Sequence, residues 1–169
     1  WKVLYIVNAE GDEALETACG LLALENLALT VACGRNENLA RRMRELPTET
    51  GRPIEVLGWA PEMPHLIRRS HLLVGKAGGA TVQEAMAAHT PMIITKVVPG
   101  QEEGNARLLM ERGAGFVATT PAAVAETAKK IFDSGGARYR ECLKAATSLS
   151  HPAAAKDIAN FVSALCRDR

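Results

Sequence analysis

Short apolar runs, each followed by a stretch of helical spacing, alternate along most of this chain. No other feature restricts the fold as strongly. Residues 2–7 read KVLYIV, residues 27–32 read LALTVA, and further runs lie at 54–57, 72–74, 92–95 and 115–118. Unbroken apolar runs of this length suit strands buried on both faces, whereas a half-solvated strand would alternate. Between them, residues 12–24 carry Ala14, Leu15, Ala18, Leu21 and Leu22 on one helical face, and residues 37–46 carry Leu39, Met43 and Leu46. Further helices are expected at 63–69, from Lys76-Ala-Gly-Gly-Ala-Thr81 to Ala88, at 105–112, and near 122–132, 139–147 and 153–165. Turns are expected at 8–11 and 47–53, and an irregular loop at 97–103. Strands joined through helices imply right-handed crossovers. The expected fold is one α/β domain, a doubly wound, Rossmann-like parallel sheet of about six strands with helices on both faces.

Composition agrees and removes several function classes. The chain has 169 residues, enough to bury about 70% of the unfolded surface without staples. Apolar residues make up 47%, and 20 basic against 19 acidic side chains leave a net charge of +1, which excludes a disordered chain. Balanced charge provides no footprint for nucleic acid, and 4% aromatics leave few stacking platforms for single strands. Cys19, Cys33, Cys142 and Cys166 form no CxxC pair, and His65, His71, His89 and His151 show no zinc-ligand spacing. Four unpaired thiols fit a reducing, intracellular setting. No apolar run approaches the roughly 18 residues of a spanning helix, and no signal-peptide pattern opens the chain. The first residue is Trp1, so the chain is read as part of a longer protein.

In a doubly wound sheet, ligands bind beyond the carboxyl ends of the strands. Three loops at that edge carry unusual residues. In Lys76-Ala-Gly-Gly-Ala-Thr81, adjacent glycines let the backbone approach a ligand, and the following helix directs free N–H groups at it. An anion such as a diphosphate suits that geometry, although the run is neither GxGxxG nor a P-loop. Glu84, three residues after Thr81, has two readings. It completes a Thr-x-x-Glu capping box, or its carboxylate accepts from a vicinal diol such as a ribose. In Val97-Val-Pro-Gly-Gln-Glu-Glu-Gly-Asn105, the turn at Pro99-Gly100 presents Gln101 and Glu102 together. The pair suits sugar hydroxyls, or it is a polar loop ahead of an Asn105 N-cap. Gly58-Trp-Ala-Pro-Glu-Met63 offers backbone groups to a base edge, while Trp59 and Met63 also suit core filling. Arg41, Arg42 and Arg44 read as a solvated helix face. There is no GxSxG, no HExxH and no Asp-x-Asp pair to hold a metal on a diphosphate.

The run GWAPEMPHLIRRSHLLVGKAGGATVQEAMAAHTPMIITKVVPGQEEGNARLLMERGAG resembles the C-terminal, donor-binding half of two-domain (GT-B) glycosyltransferases of family 28. The resemblance is nearest to monogalactosyldiacylglycerol synthases and bacterial diacylglycerol glucosyltransferases. It is more distant to the peptidoglycan lipid-intermediate N-acetylglucosaminyltransferase. It spans about residues 2–132 and is most specific over 58–115.

The resemblance implies that the Ala60 backbone reads a uracil, with Met63 supporting that loop. Gly78, Gly79, Ala80 and Thr81 fall at the diphosphate-binding helix start, and Lys76 at a basic position near the phosphates. Glu84 matches the carboxylate that holds the ribose. Gly100, Gln101, Glu102 and Asn105 belong to the donor-sugar motif. Glu10 and Gly11 fit a glycine-rich loop after the first strand, where Asn8 and Ala9 depart from the family's glycines. A UDP-sugar is thus the expected donor substrate, with no cofactor and no metal.

The resemblance places the lipid acceptor, such as diacylglycerol, and the catalytic base in an N-terminal domain outside this sequence, so no catalytic residue is assigned here. The whole protein is expected to be an inverting hexosyltransferase of glycolipid synthesis. It would be cytoplasmic and peripheral at the inner face of the membrane, while the isolated domain would be inactive. The rival readings are a donor-binding subunit that needs a partner chain, half of a nucleotide-sugar epimerase, and a non-catalytic UDP sensor.

Overall fold

The computed structural model describes residues 1–8, 11–47 and 54–167. Its strands are β1 (Lys2–Ile6), β2 (Ala28–Ala32), β3 (Glu55–Leu57), β4 (Leu72–Lys76), β5 (Met92–Lys96) and β6 (Gly115–Val117). They form one six-stranded sheet in the order β3-β2-β1-β4-β5-β6. Every neighbouring pair is parallel. The chain first builds outward from β1 to β3, then crosses back to lay β4 on the other side of β1. The strand order therefore reverses between β1 and β4, the place where such sheets open a crevice.

The helices are α1 (Asp12–Leu22), α2 (Glu37–Arg44), α3 (Met63–Arg69), α4 (Gly79–Ala87), α5 (Glu103–Glu111), α6 (Pro121–Ser148) and α7 (Ala154–Arg167). Side chains of β1 alternate between two cores. Val3 and Tyr5 join Ala14, Ala18 and Leu21 of α1, Met43 of α2 and Ala128 and Ile131 of α6. Leu4 joins Ile67 of α3, Val82 and Met86 of α4 and Leu109 of α5. Both faces of the sheet are covered, which is why its strands read as unbroken apolar runs.

The two helices expected near 122–132 and 139–147 are α6, with non-helical backbone at Asp133, Ser134, Gly135 and Gly136 between them. This break packs against Trp1, whose ring stacks on Phe132 at 4.6 Å and lies 5.1 Å from Tyr139. In α7 no residue is buried, and Ile158, Phe161, Val162 and Leu165 form an exposed apolar stripe. No helix among the described residues is long and apolar enough to cross a membrane.

Candidate functional site

The carboxyl ends of β4 and β5 carry most of the residues singled out in the sequence. At the end of β4, the N–H of Ala77 donates to the Lys96 carbonyl at 3.0 Å, so the strand pairing runs one residue past β4 itself. Gly78 turns the chain with φ −61° and ψ 138°, and α4 begins at once at Gly79. The Val82 N–H already donates to the Gly78 carbonyl at 2.9 Å, which makes Gly78 the N-cap. Thr81 therefore lies inside the first turn, and the Thr81–Glu84 capping box expected as one reading does not form.

No side chain caps α4, so the N–H groups of Gly79, Ala80 and Thr81 remain without helical partners at its positive end. Gly79 and Ala80 are exposed, and Thr81 is half-buried. Glu84 is exposed on the turn that follows. This is the geometry in which a helix N-terminus receives an anion.

The β5–α5 loop folds against this turn. Its helix starts at Glu103, two residues earlier than expected. Asn105 is thus a first-turn residue and not an N-cap, and Glu102 takes the cap position. The Asn105 side-chain amide donates to the Ala77 carbonyl at 2.9 Å. Lys76 Nζ donates to Glu102 Oε1 at 3.1 Å, and the Val98 N–H donates to Glu102 Oε2 at 3.0 Å. Two side-chain bonds thus tie the loop after β5 to the loop after β4.

Gly78 lies under the ion pair. A Cβ there would stand 3.3 Å from Lys76 Cε and 3.6 Å from Glu102 Oε1. Gly100 adopts φ +76° at the tip of the β5–α5 loop, and its N–H donates to Glu103 Oε1 at 2.8 Å. Gln101 beside it is exposed.

The third loop lies at the carboxyl end of β3. Although β3 is an edge strand, α3 crosses under β1 to pack beside α4, which brings this loop to the α4 side of the sheet. Ala60 is half-buried there, and Met63 opens α3 against the core that holds Ile67 and Val82. Gly11, with φ +63°, is the N-cap of α1, and Glu10 lies outside the described residues.

The sequence reading did not single out three features at the same edge. The Arg35 guanidinium lies 5.0 Å from the ring centre of Trp59, which is 69% exposed. Thr95 Oγ1 donates to Asn8 Oδ1 at 2.9 Å, which bonds the segment after β1 across the sheet to β5. Below it, a cleft of about 310 Å³ is lined by Tyr5, Asn8, Glu13, Thr17, Thr95 and Lys96. Burial pushes the Tyr5 phenol up to about 12, against a smaller opposing effect of the Thr17 hydroxyl beside it. Its polar O–H at the end of an apolar strand was the available signal. Among the described residues, no group of three His, Cys, Asp or Glu side chains is placed to hold a metal ion.

With two glycine-turn loops joined across neighbouring strands, the chain can be set beside known proteins. The glycosyltransferase family 28 C-terminal domain matches it over residues 10–158. The chain belongs to that family.

Among its relatives, a processive diacylglycerol β-glucosyltransferase of Bacillus subtilis is 35% identical over 119 residues, covering 69% of this chain and 31% of the relative. Monogalactosyldiacylglycerol synthase 2 of Arabidopsis thaliana, a chloroplast protein, is 28% identical over 141 residues, covering 83% of this chain and 30% of the relative. The family 28 domain thus spans about a third of the length of the curated relatives it matches. Its fold is that of MurG from Acinetobacter baumannii, with a TM-score of 0.74, 19% identity, and coverage of 95% of this chain and 49% of MurG. This is one half of a GT-B architecture, as the resemblance implied.

Proposed function

We propose that this domain binds the UDP-sugar donor of an inverting glycosyltransferase, which moves a hexose to a lipid acceptor such as diacylglycerol. The observation that carries the reading is the uncapped N-terminus of α4, flanked by Lys76 and tied to the β5–α5 loop. Leaving-group charge grows on a diphosphate as the sugar departs. Preorganised N–H groups and an ammonium stabilise that charge without reorganising.

Glu84, on the exposed side of the same helix, accepts from the ribose hydroxyls, and the Ala60 backbone meets the uracil edge. Gln101 and the loop around Gly100 face the donor sugar. A UDP-sugar is a substrate in this reading, which assigns neither a cofactor nor a metal. The acceptor and the base that deprotonates its hydroxyl are assigned to sequence outside these residues. In the whole protein, this reading has the site work at the cytoplasmic face of a membrane, as a peripheral contact. The names of the relatives support the lipid acceptor, since they act on diacylglycerol or make its galactolipid.

Calorimetric titration with UDP and with UDP-hexoses tests the proposal. Saturable binding of both is expected. No binding by the folded chain, and none after an N-terminal half is restored, refutes it.

A further inference from the structure

Glu102 is the one acidic residue among the described residues that is fully buried, at 5% exposure, and all its polar groups are occupied within the fold. Its carboxylate oxygens take Lys76 Nζ and the Val98 N–H. Its own N–H donates to the Val98 carbonyl at 3.0 Å, and its carbonyl accepts from Ala106 at 3.1 Å. Lys76 is the exposed partner, with 48% of its side chain accessible. It lies across Gly78, with Nζ 3.7 Å from where a Cβ would stand, at the entrance to the uncapped α4. An ammonium has three donors, and Glu102 takes one of them.

We infer that Glu102 is a positioning residue for Lys76 and the β5–α5 loop, and not a ligand of the donor sugar. This rests on the donor-site reading above and deepens it. A carboxylate that contacts a sugar needs an oxygen turned toward solvent, whereas this one is covered and doubly engaged. Its charge holds the flexible lysine stem over the helix end, where a diphosphate meets the remaining two donors. A Cβ at Gly78 would press on the lysine stem, 3.3 Å from Lys76 Cε, so glycine leaves the ion pair room there. Gln101, exposed next to it, is left as the side chain of the pair that can reach the sugar.

The test is calorimetry of UDP and a UDP-hexose on wild type, Glu102→Gln, Lys76→Met and the double variant. The glutamine keeps an oxygen for the Val98 N–H and removes the charge that holds Lys76. Each single variant is expected to weaken UDP and UDP-hexose by the same factor, of the order of tenfold, as for a lost charged hydrogen bond. The double variant should be no weaker than either single one, because both remove the same contact. A merely structural loss would not cancel in the Lys76→Met background.

A Glu102→Gln loss confined to UDP-hexose overturns the inference, as does full additivity with Lys76→Met. Should Glu102→Gln fail to fold, Lys76→Met decides, since its side chain is half-exposed: equal losses for both ligands support the inference, and a loss for UDP-hexose alone overturns it. Wild type that binds neither ligand refutes the donor-site reading, and this inference with it.

Discussion

Glu84→Ala separates two roles that local sequence leaves indistinguishable. In the structure α4 is started by Gly78, and no side chain caps it. The Glu84 carboxylate is exposed one turn further on, and its backbone carbonyl still accepts from Ala88 whatever side chain it bears. Glutamate and alanine differ by a few tenths of a kcal/mol in an exposed helix position, in favour of alanine. Stability should therefore change by less than about 0.5 kcal/mol, a shift in Tm of under about 2 °C for a chain of this size.

Binding should respond differently. A carboxylate that accepts from a ribose diol contributes charged hydrogen bonds of about 1.5–3 kcal/mol. Its removal should weaken UDP by about 10- to 100-fold. The assay is calorimetry with UDP and 2′-deoxy-UDP, alongside a thermal melt. Wild type should prefer UDP, and the variant should lose that preference because nothing remains to read the 2′-hydroxyl. A stability loss of about 1 kcal/mol with unchanged affinity, the signature of a lost cap, refutes the reasoning. So does a variant that still discriminates the deoxynucleotide.

Three further expectations concern the scaffold. Gly136→Ala puts a Cβ 2.6 Å from the Trp1 ring at a backbone φ of +75°. Strain and disruption of the aromatic stack should together cost about 2–4 kcal/mol and lower Tm by about 5–15 °C, read by a thermal melt. His71 is pushed down from its ordinary value by burial first, then by the amino group of Trp1 and by Lys2, and its neutral Nδ1 accepts the Lys2 N–H at 3.0 Å. The unfolded chain takes up this proton first as pH falls, so the stability from His71 is complete above about pH 6.5 and is lost on acidification below it. Urea midpoints between pH 7.5 and 5.5 should fall for wild type and flatten for His71→Asn. Phe161→Ser, on a helix with no buried residue, should change the urea midpoint of this chain by less than the equivalent of about 0.5 kcal/mol.

The fold was legible because its evidence is local. KVLYIV reads as a strand buried on both faces, and β1 does send Val3 and Tyr5 to one core and Leu4 to the other. The break between the two halves of α6 likewise falls at the Ser134-Gly135-Gly136 run, where the backbone turns left-handed. The site was legible as a set of loops but not as a set of contacts. Thr81-x-x-Glu84 has the pattern of a helix start, yet the N-cap is Gly78, three residues earlier. Ala77 is held on one side by the Lys96 carbonyl and on the other by the Asn105 amide, and those partners are distant in sequence. With Ala77 pinned to the sheet, the chain turns at Gly78 and begins the helix at Gly79.

The same reason hid the ion pair of Glu102 with Lys76. In its own loop it is one of two adjacent glutamates, Glu102 and Glu103, and nothing local says which of them turns inward. The ammonium of Lys76, 26 positions away, marks Glu102 as the inward one, while Glu103 closes the exposed Gly100 turn. Each loop therefore carries half of the bonds that shape the other, Lys76 with Glu102 and Ala77 with Asn105. Their pairing across the two loops carries more about the site than either motif does alone. A substitution in the loop after β5 is accordingly expected to act on the proposed diphosphate end of the site as well as on the proposed sugar end.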